Sequence, residues 1–199
     1  MLYLNQLEYP HIPYITHTKH DHIIDKVYSV ARSGCGLCCL CMAVDALTTK
    51  TLPIEECVKL SEECGANYGA GTDLSMLSPI VAQRYSLDYR TTDDLDEMLA
   101  CLQAGGFVIV HVERYPEDEV GLFTKTAHYM SVVSTDGTQV CILDPAYTPE
   151  KYHLEGREGK VNDQNAPYLY SHKDTLHAHT TWKNPKYPKY HLFTRHVAE

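Results

Sequence analysis

The chain has 199 residues, 44% of them hydrophobic, with 26 acidic against 17 basic side chains and a formal charge of -9. That is enough apolar content for one core in one domain over 1–199; the acidic balance argues against a nucleic-acid partner, which needs a basic footprint to displace phosphate counterions. No run approaches the roughly 18–20 apolar residues of a membrane helix, and the stretch Met1 to Glu8 has neither a basic flank nor an apolar signal core, so the expected setting is cytoplasmic with no membrane partner, or secreted if a signal segment has been removed.

Residues 1–32 are rich in Tyr, His and Pro without periodicity, which predicts an irregular arm with a short strand around Tyr3. From Ser33 the texture changes. Leu37, Leu40, Val44 and Leu47 form one helical stripe, and Ser33-Gly34-Cys35-Gly36 makes a tight, small-residue lead into it. A second helix is predicted over 54–63, with Ile54, Cys57 and Val58 inward and Glu55, Glu56, Lys59 and Glu62 outward. Gly65 to Gly71 is a glycine-rich loop. Asp73 can cap a turn toward Leu74 and Leu77, and Pro79 suits a fresh helix start or a kink. A helix over 93–103 is capped by Asp93 or Asp94, buries Leu95, Met98, Leu99 and Leu102, and stops at Gly105-Gly106.

The pattern then turns to strands, at 107–112 and 129–134. Asp136-Gly137 is a strong hairpin turn, and 140–143 returns from it. Residues 145–188 are full of turn-formers with a short helix near 172–180, and 189–194 can close the sheet. No repeat or linker divides the chain. Helices followed by an antiparallel sheet read as α+β.

Eight cysteines, four of them within residues 35–41, do not read as a disulfide framework in a chain of this length. Cys35 stands apart from the others because it sits in a Gly-Cys-Gly turn at the N-terminal end of the best helix. There the helix dipole and backbone N–H groups favour thiolate, the same N–H groups can hold an oxyanion, and the flanking glycines leave room for a substrate backbone. His128 opens a strand, and Asp144 ends its hairpin partner in Ile142-Leu143-Asp144-Pro145. Pairing about the Asp136-Gly137 turn brings His128 and Asp144 side by side, where the carboxylate can hold the imidazole tautomer. The alternatives for each residue taken alone are a plain helix cap with a buried thiol and a plain Asp-Pro turn.

Ser-Gly-Cys-Gly-Leu-Cys, then Ala-His-Tyr, then Leu-Asp-Pro resembles the bacteriocin-processing (double-glycine leader) cysteine peptidases of the papain-like clan, and more closely their stand-alone relatives. The resemblance runs from Gln6 to about Tyr147. It implies a papain-like fold, with Cys35 as nucleophile, His128 as general base, Asp144 as the orienting residue, a peptide or amide substrate and no cofactor or metal. It also implies an oxyanion-hole glutamine six residues before the nucleophile, and that position is Ser29. Gln6 can supply the amide if 8–30 is an inserted loop; Ser29, Ser33 or the Cys35 backbone N–H are the other donors. A catalytically idle relative that binds peptides or partners, and an amide-transfer enzyme of the same clan, are the competing functions.

Other signals are weaker. Cys35-Gly36-Leu37-Cys38 has redox C-x-x-C spacing but lacks the strand that usually precedes it. His17, His20, Asp21 and His22 suit a solvated loop better than a metal site. The loop Gly65 to Gly71 lacks a phosphate-binding Lys-Ser/Thr. His177 and His179 are expected at the surface, and Tyr147 either in the cleft or in the core.

Overall fold

The computed structural model describes residues 1–17, 25–69, 71–114, 120–180 and 187–196. The chain opens on a 3-10 turn, Gln6–Glu8, and not on a strand near Tyr3. The expected irregular arm is largely a hairpin: β1 (Pro13–His17) pairs antiparallel with β2 (Asp25–Ser29). Tyr14 and Thr16 are buried while Pro13 and Ile15 are exposed, an alternation the Tyr- and Pro-rich composition obscures. The Tyr14 hydroxyl holds the hairpin down, 2.7 Å from both Ser61 Oγ and Thr72 Oγ1.

One turn of helix, α1 (Val30–Ser33), leads through Gly34 into α2 (Cys35–Leu47). Every residue from Gly36 to Val44 is buried, so α2 is enclosed all round and not along one stripe only. Cys38, Cys39 and Cys41 act there as small apolar side chains. The amphipathic α3 (Ile54–Glu63) spans the predicted range. α4 (Leu74–Tyr85) runs as one helix from the cap at Asp73, which accepts from Ser75 N at 2.9 Å; Pro79, where a fresh start or a kink was expected, lies inside it without ending it.

β3 (Leu87–Thr92) carries no strand signature in the sequence, because only Leu87 of its six residues is buried. α5 (Leu95–Gln103) follows, with the Asp94 carboxylate accepting from the N–H groups of Asp96 and Glu97. Then come β4 (Phe107–Glu113), β5 (Ala127–Thr135), β6 (Gln139–Leu143), β7 (Asn162–Asn165), β8 (Tyr168–His172), α6 (Lys173–Ala178) and β9 (Tyr190–Arg195). Among the described residues, seven strands form one antiparallel sheet in the order β3-β9-β4-β5-β6-β8-β7. The last strand therefore does not close an edge. It inserts between β3 and β4, leaving β3 as a polar edge strand.

The sheet carries an apolar cluster on each face. Phe107, Ile109, Tyr129, Leu143 and Phe193 pack with α2, α3 and α4, whereas Val108, Val110, Met130, Val132 and Ile142 pack with α5 and Leu176 of α6. The period-two alternation of β4 and β5 feeds both clusters. No helix of the described residues is long and apolar enough to cross a membrane.

Candidate active site

The two glycines around Cys35 serve packing. A Cβ at Gly34 would stand 2.5 Å from Val30 Cγ1 and 2.6 Å from Val30 O; one at Gly36 would stand 3.1 Å from Leu74 Cδ2 and 3.3 Å from Tyr129 Cδ2. Their bareness lets the first turn of α2 press against α1, α4 and β5, so the room expected there for substrate is taken by the protein itself. Cys35 is held between them at the helix start, half-buried. Burial pushes its thiol pKa up. The hydrogen bond and charge of His128, with backbone N–H groups of Tyr129 and Gly36, outweigh that and bring it below the ordinary value. Burial instead lifts the thiols of Cys38 and Cys39 well above it, and contact with Cys57 together with burial does so for Cys41. All eight cysteines are free.

His128 and Asp144 meet, but not as cross-strand partners. The turn closes between Asp136 N and Gln139 O at 3.2 Å, with Gly137 at φ 92° where an L side chain is disfavoured. Ser134 pairs with Cys141, then a bulge intervenes, and Val132 pairs with Ile142 and Ser131 with Leu143. Continued by one residue, this register puts Asp144 level with Met130, and His128 reaches it along the diagonal. Without the bulge Asp144 would come level with Ser131, on the opposite face from His128. The carboxylate Oδ1 lies 2.8 Å from His128 Nε2. A carboxylate can only accept, so neutral His128 carries its proton on Nε2, and Nδ1 is the lone-pair nitrogen left for Cys35. Burial disfavours a charged imidazole, but Asp144 and Cys35 raise the His128 pKa to about 8.

Asp144 is fully buried and receives four donors. Oδ1 accepts from His128 and from Ala146 N at 2.9 Å; Oδ2 accepts from Lys151 Nζ at 2.5 Å and Tyr152 Oη at 2.6 Å. Burial alone would raise its pKa, yet Lys151 and His128 hold it well below the usual carboxylate range. Sequence reasoning missed Lys151 and Tyr152, which lie in a turn-rich segment without periodicity. The one usable signal was Asp144 itself, since a carboxylate buried at a strand end must find charged or hydrogen-bonding partners.

Gln6 comes to the same place from the other end of the chain. Its backbone N–H donates to Pro145 O at 2.7 Å and its Nε2 to Ala31 O at 2.8 Å, while its Oε1 is buried without a hydrogen-bond partner. Tyr3 Oη donates to Asp144 O at 2.7 Å and Asn5 Nδ2 to Tyr147 O at 2.9 Å. The N-terminal segment thus bridges the residues after β6 to the turn that precedes Cys35. Gln6, Ser33, Cys35 and His128 line one cleft of ≈ 520 Å³, within the range of small-ligand pockets. Asp73, Arg32, His111 and Glu113 also line it. Ser33 Oγ is buried and unpartnered there, whereas Ser29 is the N-cap of α1.

The minor expectations fare differently. Tyr147 stacks on Tyr152 and donates to Asp163 Oδ2 at 3.2 Å, half-buried and outside the lining of this cleft. His177 is not a free surface side chain: its Nδ1 is 2.6 Å from Tyr190 Oη, and His179 sits edge-on to Phe123. Among the described residues no group of His, Cys, Asp and Glu could hold a metal ion. Of the histidine run, His20, Asp21 and His22 lie outside the described residues.

No family model matches the sequence, and no curated protein matches it significantly. Among solved structures, a Bacillus anthracis protein provisionally named a C39-like peptidase superposes with a TM-score of 0.56, covering 99% of this chain and 96% of its own, at 14% identity. The fold is the papain-like α+β fold of such peptidases. At that identity the likeness speaks for the architecture alone.

Proposed function

We propose that the protein is a cysteine peptidase or amide hydrolase working through Cys35, His128 and Asp144. One observation carries the reading: His128 is held through Nε2 by a buried carboxylate, 2.8 Å away, and lines one cleft with a half-buried cysteine whose thiol it makes more acidic. Fold likeness to a C39-like peptidase supports it.

In this mechanism the Cys35 thiolate attacks the carbonyl carbon of an amide bound in the cleft, and the carbonyl π electrons move to oxygen. Gln6 Nε2, which has a second N–H beyond the one given to Ala31, and the backbone at the start of α2 stabilise the oxyanion. The oxyanion collapses, the C–N bond breaks, and the His128 imidazolium protonates the departing amine. Neutral His128 then takes a proton from water as it attacks the thioester, returning the acid and the free thiol. Asp144 stays ionised throughout and supports the imidazolium.

The test is capture of the acyl intermediate. Incubation with a library of peptide thioesters and amides, quenched in acid, should leave acyl mass on the peptide containing Cys35, and His128→Ala should abolish turnover. Turnover retained at the wild-type rate in Cys35→Ala would dismiss the proposal.

A further inference from the structure

Asp144 carries more partners than an orienting carboxylate requires. One oxygen serves His128; the other is enclosed by Lys151 Nζ at 2.5 Å and Tyr152 Oη at 2.6 Å. The lysine side chain is only 14% exposed and its partner not at all, so solvent screens this ion pair little. The lysine is itself braced. Buried Arg157 donates through Nη1 to Lys151 O at 3.0 Å and through Nη2 to Val120 O at 3.3 Å, fixing the backbone that presents Lys151.

Resting on the cysteine-histidine reading above, we infer that Lys151 is a positioning residue of the site: its ammonium offsets part of the charge that Asp144 shows to His128, and so sets the pH window in which Cys35 thiolate and His128 imidazolium coexist. Tyr152 holds the same oxygen without adding charge. A carboxylate facing the imidazole alone would keep His128 protonated to higher pH, leaving it a poor base for the second half of an acyl-transfer cycle. A carboxylate already paired to an ammonium lends the imidazolium less support.

Among the described residues Lys151 is the cation that touches the Asp144 carboxylate beside His128, while Arg32, Asp73 and Glu113 are charged groups of the cleft that His128 lines. Around the carboxylate and imidazole stand Tyr3 from the N-terminal segment, Cys35 and Cys39 from α2, His111 from β4, Tyr152, and Arg157 beyond it. Burial keeps Tyr3, Cys39 and Tyr152 uncharged by raising their pKa values, and burial with His128 keeps His111 neutral down to about 4. Arg157 keeps its charge, but it donates to the carbonyl oxygens of Lys151 and Val120 and not to the carboxylate.

The experiment follows iodoacetamide alkylation of Cys35 in the full chain as a function of pH by mass spectrometry. The sulfur displaces iodide, so the rate reports both how much thiolate is present and how nucleophilic it is, which changes when the imidazolium beside it loses its proton. The wild type should show two inflections, one as the thiolate-imidazolium pair forms and one as His128 loses its proton. Removing a nearby positive charge disfavours thiolate and favours imidazolium, so both inflections should move to higher pH, by roughly 0.5–1 unit, in Lys151→Met. Lys151→Gln keeps a donor for the carboxylate and should give the same shift, which covers a methionine variant that does not fold. Lys151→Arg should restore the wild-type profile, and Tyr152→Phe should leave both inflections in place. Folded methionine or glutamine variants with unmoved inflections would overturn the inference, as would an arginine variant shifted equally far. A lower melting temperature with an unmoved profile would make Lys151 structural only. A wild type without the low-pH inflection would instead sink the cysteine-histidine reading, a distinguishable failure.

Discussion

His128 and Asp144 touch across a diagonal of the sheet, Nε2 to Oδ1 at 2.8 Å, because a bulge in β5 shifts the β5–β6 register by one residue between Ser134 and Val132. The contact depends on an ionised acceptor. Asp144→Asn keeps the shape but can present an N–H to the imidazole and removes the charge that supports imidazolium. Turnover should fall by several orders of magnitude, ~10⁴-fold where the same change has been made in a comparable triad. Kinetics on an acyl substrate, with a melting curve to show that the variant folds, check this; a loss under tenfold would deny Asp144 its orienting role.

Gln6 is buried between Pro145 and Ala31 and lines the cleft with Cys35. If its amide stabilises the oxyanion, it acts mainly in the transition state. Gln6→Ala should lower kcat by ~10²-fold or more and barely change KM. An unchanged kcat would leave the backbone of α2 as the sufficient donor; a raised KM alone would assign Gln6 to ground-state binding.

Gly34 tests the packing that seats the nucleophile. An alanine there must displace Val30, whose Cγ1 and carbonyl oxygen lie 2.5 and 2.6 Å from the new Cβ. Gly34→Ala should destabilise the fold by roughly 1–3 kcal/mol, read by urea unfolding, and slow Cys35 alkylation by displacing the thiol from His128. Wild-type stability and reactivity would show that the turn yields freely.

Stability should peak near pH 6.5–7. His128 has its pKa raised to about 8, so its contribution is full below about 6.5 and is lost as pH climbs through 8. His111 and His191 are the opposite case. Burial lowers them to about 4 and about 3, so the unfolded chain takes up their protons first and stability falls as pH drops below about 6.5. Together they should cost on the order of several kcal/mol between pH 6.5 and 4. Asp144, held low, adds its own loss only as pH falls below the ordinary carboxylate value. Urea midpoints across pH 4–9 give the curve; a flat profile from 6.5 to 4.5 would contradict it.

The parts of the molecule legible in the sequence are those with strong local codes. α2, α3 and α5 follow from apolar spacing and caps, and β4 to β6 from apolar runs and the Asp136-Gly137 turn. β3 and β7 were hidden because edge strands bury little, and β1 because its inward residues, Tyr14 and Thr16, are polar in name. In the site, Cys35, His128 and Asp144 could be drawn together from motif and hairpin. The bulge that fixes their true register leaves no mark in the sequence. Neither do Lys151 and Tyr152, whose relation to Asp144 is made by a turn-rich segment folding back on itself.

The central claim is that His128 makes Cys35 a reactive thiol. Cys64 is the natural control, because it too is half-buried but has its thiol pKa raised by burial. Limited iodoacetamide treatment at pH 6, read residue by residue by mass spectrometry, compares the two within one molecule. Cys35 should react at least about tenfold faster than Cys64, and His128→Ala should erase the difference. Equal labelling of Cys35 and Cys64 in the wild type, or a preference that survives His128→Ala, would contradict the account.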